Sequence, residues 1–314
     1  MKVTLHYEAG PGLRERLARF AAEGLEIAVC PESDEAGFAA AMQTADVLWH
    51  VLKPCTAGVI AGAPRLRLIQ KIGSGVNTID LEAAASRGIA VCNLPGTNAP
   101  AVAEMTLLLM LATLRRLPLL DRATRAGDGW RLDPGLQDSF HELGGRTVGL
   151  VGYGTIPQAL VPVLRAMGCP VLYTARSAKP EARAEFRDLP ALLAESDVVS
   201  LHVPLTPQTA RMIDAAALAR MKPGAVLVNT ARGGLVDQDA LAAALGSGRL
   251  AAAGLDVFAA EPAGGDNPLF GLENVVVAPH VGWLTTGTFD RSFALAAENV
   301  RRLREGRPLL HRVQ

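Results

Sequence analysis

The sequence predicts an α/β protein with two doubly wound parallel sheets, and three observations carry this prediction. Short β-branched and apolar runs alternate with helical segments along the chain. The runs are apolar at successive positions, which is typical of strands buried on both faces of a parallel sheet. They also form two series, separated by an apolar helix and a polar connection. We therefore expect two domains, each with its own core.

The elements follow in order. The first series of strands reads KVTLHY, LEIAV, DVLWHV, LRLIQ and IAVC, and the second, after Arg146, reads TVGLV, PVLYT, DVVSL, AVLVNT, AAGLDV and NVVVAP. An apolar helix is expected near 102–117, and the polar stretch 121–145 is too long for a simple turn. From Thr285 onward the apolar spacing indicates an amphipathic helix, which must pack against a domain already formed.

Charge and composition exclude several classes of protein. The 314 residues contain 31 Lys and Arg against 31 Asp and Glu, so the basic excess of a nucleic-acid-binding protein is absent. The longest apolar run, Met105–Leu114, is about half the length of a membrane span. Because the N-terminus also lacks the apolar region of a signal peptide, we expect a cytoplasmic protein with no membrane or nucleic-acid partner.

Four cysteines are scattered without the paired spacing of a metal site or a disulfide framework: Cys30, Cys55, Cys92 and Cys169. Reduced thiols in the core are the expected state, which also indicates the cytoplasm. We expect no bound metal.

The segment TVGLVGYGTIPQALVPVLRAMGCPVLYT contains the glycine loop of a Rossmann-like βαβ unit, except that Pro157 stands in place of its third glycine. Gly152 and Gly154 fill the positions for a tight turn and for close approach to a diphosphate. Pro157 falls in the first helical turn, where proline is tolerated. A dinucleotide loop is favoured over a plain strand-to-helix turn because strand, helix and second strand are all present.

Three stretches at strand ends carry side chains suited to chemistry: NTARGGLVD, GLDVFAAEP and APHVGW. The guanidinium of Arg232 can hold a carboxylate with two hydrogen bonds, and the following Gly233 and Gly234 would let a ligand approach it. His280, within reach of Glu261, has its protonated form stabilised and can donate a proton to a carbonyl oxygen. Taken singly, such an arginine is more often in a surface ion pair. Together the three groups suit reduction of a 2-oxo acid.

These motifs resemble the D-isomer-specific 2-hydroxyacid dehydrogenase family, which includes D-3-phosphoglycerate dehydrogenase and glyoxylate/hydroxypyruvate reductase. The stretches IGSGVNTIDL, NLPGTNAPAVAE, TVGLVGYGTI, SDVVSLHVPLTPQT, LVNTARGGLVD, GLDVFAAEP and PHVG occur in the family's order and spacing. The resemblance implies a substrate domain of residues 1–97 with 285–314, and a cofactor domain of residues 98–284. It also implies a homodimer that pairs through 101–145.

The resemblance further implies a role for each site residue. Arg232, Glu261 and His280 would be catalytic, and Asp256 would contact the nicotinamide. The expected cofactor-binding residues are Gly152, Gly154, Thr155, Ile156, Arg176, Ser177, Val203, Pro204, Thr209, Thr230, Ala231, Asp256, His280 and Gly282. The expected substrate-binding residues are His50, Lys53, Ser74, Gly75, Arg232, His280 and Trp283. Trp283 stands where the family usually has a small residue, so it could narrow the pocket or form an aromatic wall.

Cofactor choice is expected to follow from the residues after PVLYT. Many NAD-specific members have an acidic residue there to bind the ribose hydroxyls, whereas this chain has Ala175, Arg176 and Ser177. A 2′-phosphate would meet no repulsive carboxylate, and Arg176 with Ser177 could bind it. NADP(H) is therefore favoured over NAD(H), with a solvent-exposed Arg176 as the alternative.

The expected function is hydride transfer between NAD(P)H and a small 2-oxo acid, of the D-specific glyoxylate/hydroxypyruvate type. Phosphite or formate oxidation on the same fold is an alternative. Formate enzymes typically replace the acidic partner of the histidine with an amide, so Glu261 counts against formate. A third possibility is a nucleotide-sensing binding protein that resembles the family's transcriptional corepressors.

Overall fold

The computed structural model describes all 314 residues and divides them into two units. The first unit comprises Met1–Asn98 and Leu284–Gln314, and the second comprises Ala99–Trp283. Both boundaries lie one residue from those that the resemblance implies. Each unit contains one wholly parallel sheet, with five strands in the first unit and seven in the second. The predicted fold class is therefore confirmed.

The first unit has the strand order β2-β1-β3-β4-β5. Its strands are β1 Lys2–His6, β2 Glu26–Cys30, β3 Val47–His50, β4 Leu68–Lys71 and β5 Ala90–Cys92. The helices between them are α1 Pro11–Ala18, α2 Glu35–Met42, α3 Ala57–Ala61 and α4 Leu81–Ser86. The central strand β3 is buried at all four positions, as expected for a strand covered on both faces.

The C-terminal helix packs against the sheet of the first unit. It spans Thr286–Arg304 and is numbered α11 in chain order. Its Phe293 ring stacks on Trp49 of β3, with ring centroids 5.2 Å apart. The Asn299 amide donates to Gln70 Oε1 over 2.7 Å, and both residues are fully buried. A buried amide pair of this kind specifies how the helix docks, because any other position of the helix would break a hydrogen bond away from water.

The second unit has the strand order β12-β11-β10-β9-β6-β7-β8. Its strands are β6 Val148–Val151, β7 Val171–Thr174, β8 Glu185–Phe186, β9 Val198–Leu201, β10 Ala225–Asn229, β11 Leu250–Leu255 and β12 Val275–Val277. Only β8 escaped prediction, because it is two exposed residues at the sheet edge. The order reverses at β6, which pairs with β7 on one side and β9 on the other. Open α/β sheets bind ligands beyond the strand ends at such a switch point.

The helices of the second unit differ from expectation in one place. They are α5 Ala99–Leu114, α6 Leu117–Arg125, α7 Thr155–Ala166, α8 Leu189–Glu195, α9 Ala215–Arg220 and α10 Gln238–Gly246. The helix expected over 102–117 starts and ends three residues earlier. It cannot continue past Leu114 to 117 because the Arg116 backbone is in the left-handed region, with φ 48°. A second helix then begins at Leu117, with Pro118 in its first turn, and runs into the stretch expected to be a polar connection. No helix is both long enough and apolar enough to span a membrane.

Candidate active site

The glycine loop connects β6 to α7, and its two glycines are needed for different reasons. Gly152 has φ 106°, and a Cβ there would lie 2.6 Å from the His202 carbonyl oxygen. The protein backbone therefore leaves no room for a side chain at this position. Gly154 is the N-cap of α7, and a Cβ there would meet nothing within 4 Å. No side chain caps this helix, so its first N–H groups are available. Open space at an uncapped helix start fits the diphosphate of a dinucleotide.

Pro157 is buried as the third residue of α7. Because residues in the first turn of a helix lack intrahelical N–H partners, the proline removes no backbone hydrogen bond there. The helix continues to Ala166 and buries Leu160, Val161 and Leu164. The proline therefore replaces the third glycine without interrupting the strand–turn–helix unit.

The turn after β7 carries the residues expected to choose the cofactor. Arg176 and Ser177 are exposed, and Ala175 is half-buried. Two tyrosines hold the backbone that follows: the Lys179 N–H donates to the Tyr173 hydroxyl over 2.6 Å, and the Arg183 N–H donates to the Tyr153 hydroxyl over 3.0 Å. The turn is thus fixed while Arg176 stays accessible.

Polar contacts within the second unit arrange the remaining predicted cofactor residues. The Thr209 hydroxyl donates to the Pro204 carbonyl over 2.7 Å, which folds the loop beyond Val203. The buried Thr230 hydroxyl lies 2.9 Å from that of Thr106 on α5. Thr155 and Ile156 begin α7. These residues lie at strand ends or at the start of a helix, where the protein could hold a dinucleotide.

Arg232 follows β10 and is oriented by Asn229, a residue that the sequence reasoning missed. The Asn229 amide donates to the Arg232 carbonyl over 2.9 Å, and its oxygen accepts the Ala231 N–H over 3.0 Å. The guanidinium donates to the Ala231 carbonyl over 2.6 Å. Burial lowers the pKa of Arg232, although the Glu261 carboxylate opposes this shift. Asn229 lies within the quoted NTARGGLVD motif, but only the fold shows that its side chain shapes the turn.

The role expected for the glycines after Arg232 needs correction. A Cβ on Gly233 would lie 1.9 Å from the Phe258 carbonyl carbon. At Gly234 it would lie 3.0 Å from the Leu205 side chain. Gly233 therefore admits the backbone of the loop after β11, rather than a substrate or cofactor. This close crossing keeps the loop of Arg232 against the loop that carries Glu261.

His280 and Glu261 form the pair predicted from the sequence. His280 Nδ1 lies 2.6 Å from Glu261 Oε2, and the other carboxylate oxygen accepts the Phe258 N–H over 2.9 Å. Burial acts to raise the pKa of Glu261, but the hydrogen bonds from His280 and Phe258 and the Arg232 charge lower it overall. The two side chains are 30% and 35% exposed, so a ligand can reach them. With Nδ1–H bound to a carboxylate, Nε2 is the nitrogen left for proton transfer.

Asp256 is positioned as an anchor for the segment around His280. Its carboxylate accepts the Val281 N–H over 2.9 Å and the Gly282 N–H over 2.8 Å. The residue is 2% exposed, and burial raises its pKa against the effect of these two bonds. Both oxygens are thus engaged with backbone. Contact between Asp256 and a nicotinamide stays a prediction.

The first unit contains the other predicted substrate residues, and they differ in accessibility. Ser74 and Gly75 lie in the loop after β4, where Ser74 is exposed and Gly75 is half-buried. Lys53 donates to the Glu32 carbonyl over 2.8 Å and to Glu35 over 2.9 Å. These placements leave Ser74, Gly75 and Lys53 as predictions.

His50 is an interior residue of the first unit. It is 2% exposed, and its two ring nitrogens lie 3.4 Å from Lys71 Nζ and 3.4 Å from the Thr78 hydroxyl. Burial and the Lys71 charge lower the pKa of His50 to about 3, so the ring is neutral. This environment is that of a core histidine and does not favour direct contact with a substrate.

No cluster of three or more His, Cys, Asp or Glu side chains is arranged to hold a metal ion. All four cysteines are free and buried.

Comparison with known proteins identifies the family. Residues 107–282 match the model of the D-isomer specific 2-hydroxyacid dehydrogenase NAD binding domain. The chain is 40% identical to a glyoxylate reductase of Aeropyrum pernix over 271 residues, which are 84% of this chain and 81% of that protein. The chain belongs to the D-isomer specific 2-hydroxyacid dehydrogenase family. The resemblance seen in the sequence is confirmed.

Two further relatives define how far this similarity extends. A D-3-phosphoglycerate dehydrogenase of Mycobacterium bovis is 43% identical over 251 residues, which cover 78% of this dehydrogenase-family chain but only 46% of that protein. The chain thus spans about half the length of that relative. The crystal structure of the TT0316 protein from Thermus thermophilus has a TM-score of 0.90 at 38% identity, with 100% of both chains covered. The nicotinamide cofactor expected from the sequence is supported by the matched domain.

Proposed function

We propose that the protein reduces a small 2-oxo acid to the D-2-hydroxy acid, reversibly, with NADPH as the preferred hydride donor. The observation that carries the proposal is the 2.6 Å contact between His280 and Glu261. It occurs beyond β11 and β12, next to the strand end that carries Arg232. A proton donor, its acidic partner and a carboxylate-binding cation thus come from neighbouring strand ends of one sheet.

Each of these side chains has a role in the proposed reaction. Arg232 binds the substrate carboxylate and polarises the 2-oxo group, which orients the carbonyl carbon. His280 donates its Nε2 proton to the carbonyl oxygen as negative charge develops there. Glu261 accepts the Nδ1–H bond and stabilises the protonated ring. The bound nicotinamide would supply the hydride to the carbonyl carbon.

The preference for NADPH rests on the turn after β7. Ala175 offers no acceptor for ribose hydroxyls, and exposed Arg176 with Ser177 can donate to a 2′-phosphate. The tyrosine contacts at Lys179 and Arg183 hold this turn in place without using either donor. Because Ala175 is not an acidic residue, no carboxylate there repels a 2′-phosphate, and this favours NADPH.

The decisive experiment is a panel of 2-oxo acids assayed with NADPH and NADH in parallel. Glyoxylate, hydroxypyruvate, pyruvate and phenylpyruvate cover small, hydroxylated and bulky side chains. We expect turnover with a small member and a higher kcat/KM with NADPH. Absence of turnover on every acid, with cofactor binding retained, would favour a nucleotide-sensing protein instead. Phosphite and formate complete the panel, and turnover on either would indicate the corresponding dehydrogenase.

We also propose that the protein is a cytoplasmic homodimer. Within 101–145, Leu108 is 53% exposed, Leu117 51% and Trp130 94%. Apolar side chains this exposed are better accommodated when a second copy covers them. Sedimentation at micromolar concentration checks this: a dimer is expected, and a monomer alone would contradict it.

A further inference from the structure

The backbone at His280 has a conformation that needs support from its surroundings. Its φ is 56°, in the left-handed region that residues with a side chain rarely adopt. Such a residue keeps this conformation only where neighbouring groups hold it. Since His280 is the proposed proton donor, whatever holds its backbone also sets the direction of its ring.

Asp256 binds the backbone N–H groups of this segment. The His280 N–H donates to the Asp256 carbonyl over 2.7 Å, and the next two N–H groups donate to its carboxylate. A Cβ on Gly282 would lie only 2.7 Å from Asp256 Oδ2, so glycine is what lets the carboxylate come this close. Three consecutive N–H groups are therefore bound to one residue.

Trp283 binds the backbone carbonyl group of His280. Its indole Nε1–H donates to the His280 carbonyl oxygen over 3.1 Å. The indole is half-buried and lies three residues along the chain, so the bond closes a tight turn around His280. A residue without a side-chain donor at this position could not make the bond.

We propose that Trp283 is a positioning residue for His280. Its indole N–H fixes the His280 peptide while Glu261 fixes Nδ1, and the two restraints together keep Nε2 aimed in one direction. This inference rests on the proposed function, because it assigns to Trp283 the task of aligning the proton donor of that reaction.

Positioning and contact with substrate make opposite kinetic predictions. An aromatic wall acts through the ring, so its alteration changes KM and changes it differently for small and bulky acids. Positioning acts through the N–H, so its loss lowers kcat by a similar factor for every acid and leaves KM in place.

The test replaces Trp283 with 3-benzothienylalanine, in which sulfur stands in place of the indole N–H while the ring system is kept. We expect kcat to fall about 3- to 10-fold with each active 2-oxo acid, because one hydrogen bond of ordinary net strength is lost. KM and the Kd for NADPH should stay within twofold. The same replacement at Trp130 is the matched control: it keeps the ring that the proposed contact with a second copy uses, so it should change none of these values.

A variant with unchanged kcat, or with KM altered according to substrate size, would overturn the proposal. Trp283→Phe provides a second measurement that does not depend on the analogue, and the same loss of kcat is expected.

Proton NMR separates failure of this inference from failure of the proposed function. The Trp283 indole N–H should exchange with solvent at least tenfold more slowly than the indole N–H of free N-acetyltryptophanamide, whether or not the protein turns over a 2-oxo acid. An indole that exchanges as fast as that free reference would overturn the positioning role in an active enzyme. A protected indole in a protein inactive on the whole panel would support the contact and overturn the proposed function.

Discussion

The segment around His280 and the turn after β7 are built in opposite ways. Asp256, Glu261 and Trp283 hold His280 through its backbone and its ring. Arg176 and Ser177, by contrast, are exposed, and only the backbone beyond them is fixed.

This difference indicates which substitutions each region should tolerate. A proton donor must be aligned closely with the reacting atoms, so its surroundings are interdependent. A residue that recognises a phosphate acts through charge and can be replaced without disturbing the core. Changes around His280 should therefore reduce turnover broadly, whereas changes at Arg176 should alter selectivity and leave the reaction intact.

His280→Asn should have the largest effect. We expect kcat to fall by up to about 10⁴-fold, because a positioned general acid contributes on this scale. Cofactor affinity should persist, since the asparagine amide can take the place of Nδ1 as the donor to Glu261. Steady-state kinetics and fluorescence titration with NADPH check the two halves, and loss of cofactor binding as well would mean that His280 is structural.

Arg232→Ala should rank second. Loss of two charge-assisted hydrogen bonds to the substrate carboxylate should lower kcat/KM about 10²- to 10³-fold, while Tm changes little. Arg220→Ala, at an exposed arginine on α9, is the control and should be silent. Activity near that of the wild type on the best 2-oxo acid would contradict the role of Arg232.

Gly233→Ala tests whether the crossing of the loops that carry Arg232 and Glu261 matters. The added methyl group must displace the Phe258 backbone, so we expect unfolding free energy to fall by about 1–3 kcal/mol and kcat to fall as well. Gly246→Ala is the matched control, because a Cβ there meets nothing within 4 Å. Denaturant unfolding of both variants decides the matter, and equal stability would show that the crossing is loose.

Arg176→Ala should change selectivity alone. One charge-assisted contact contributes roughly 1.5–3 kcal/mol, so we expect a preference for NADPH of about one to two decades to disappear. Ala175→Asp should turn the preference toward NADH by adding an acceptor and a repulsive charge. The measurement is kcat/KM for both cofactors in all three proteins. A wild type that prefers NADH would identify Arg176 as a solvent-exposed charge only.

Pro157→Gly should have the smallest effect. The first turn of α7 forms with either residue, so the fold should persist and the Kd for NADPH should change by no more than about threefold. Loss of the buried ring should reduce unfolding free energy by about 1–2 kcal/mol, measured by urea titration. Complete loss of cofactor binding would contradict this account of the loop.

The sequence alone was enough to predict the two parallel sheets, because apolar runs at successive positions leave few other ways to bury both faces of a strand. It also made Arg232, Glu261 and His280 the candidates for the site, since their residue types and strand-end positions already limit their chemistry. The contact between His280 and Glu261 matches what that pattern predicted.

How these residues are held depends on the tertiary structure. Asn229 and Trp283 act through side-chain hydrogen bonds to backbone atoms, and no sequence period encodes such bonds. The need for Gly233 arises because a loop distant in sequence crosses it. The surroundings of His50 also depend on the tertiary structure, because its position at a strand end did not reveal its contacts with Lys71 and Thr78. Local pattern reports which groups a strand presents, whereas their partners depend on how strands and loops pack in three dimensions.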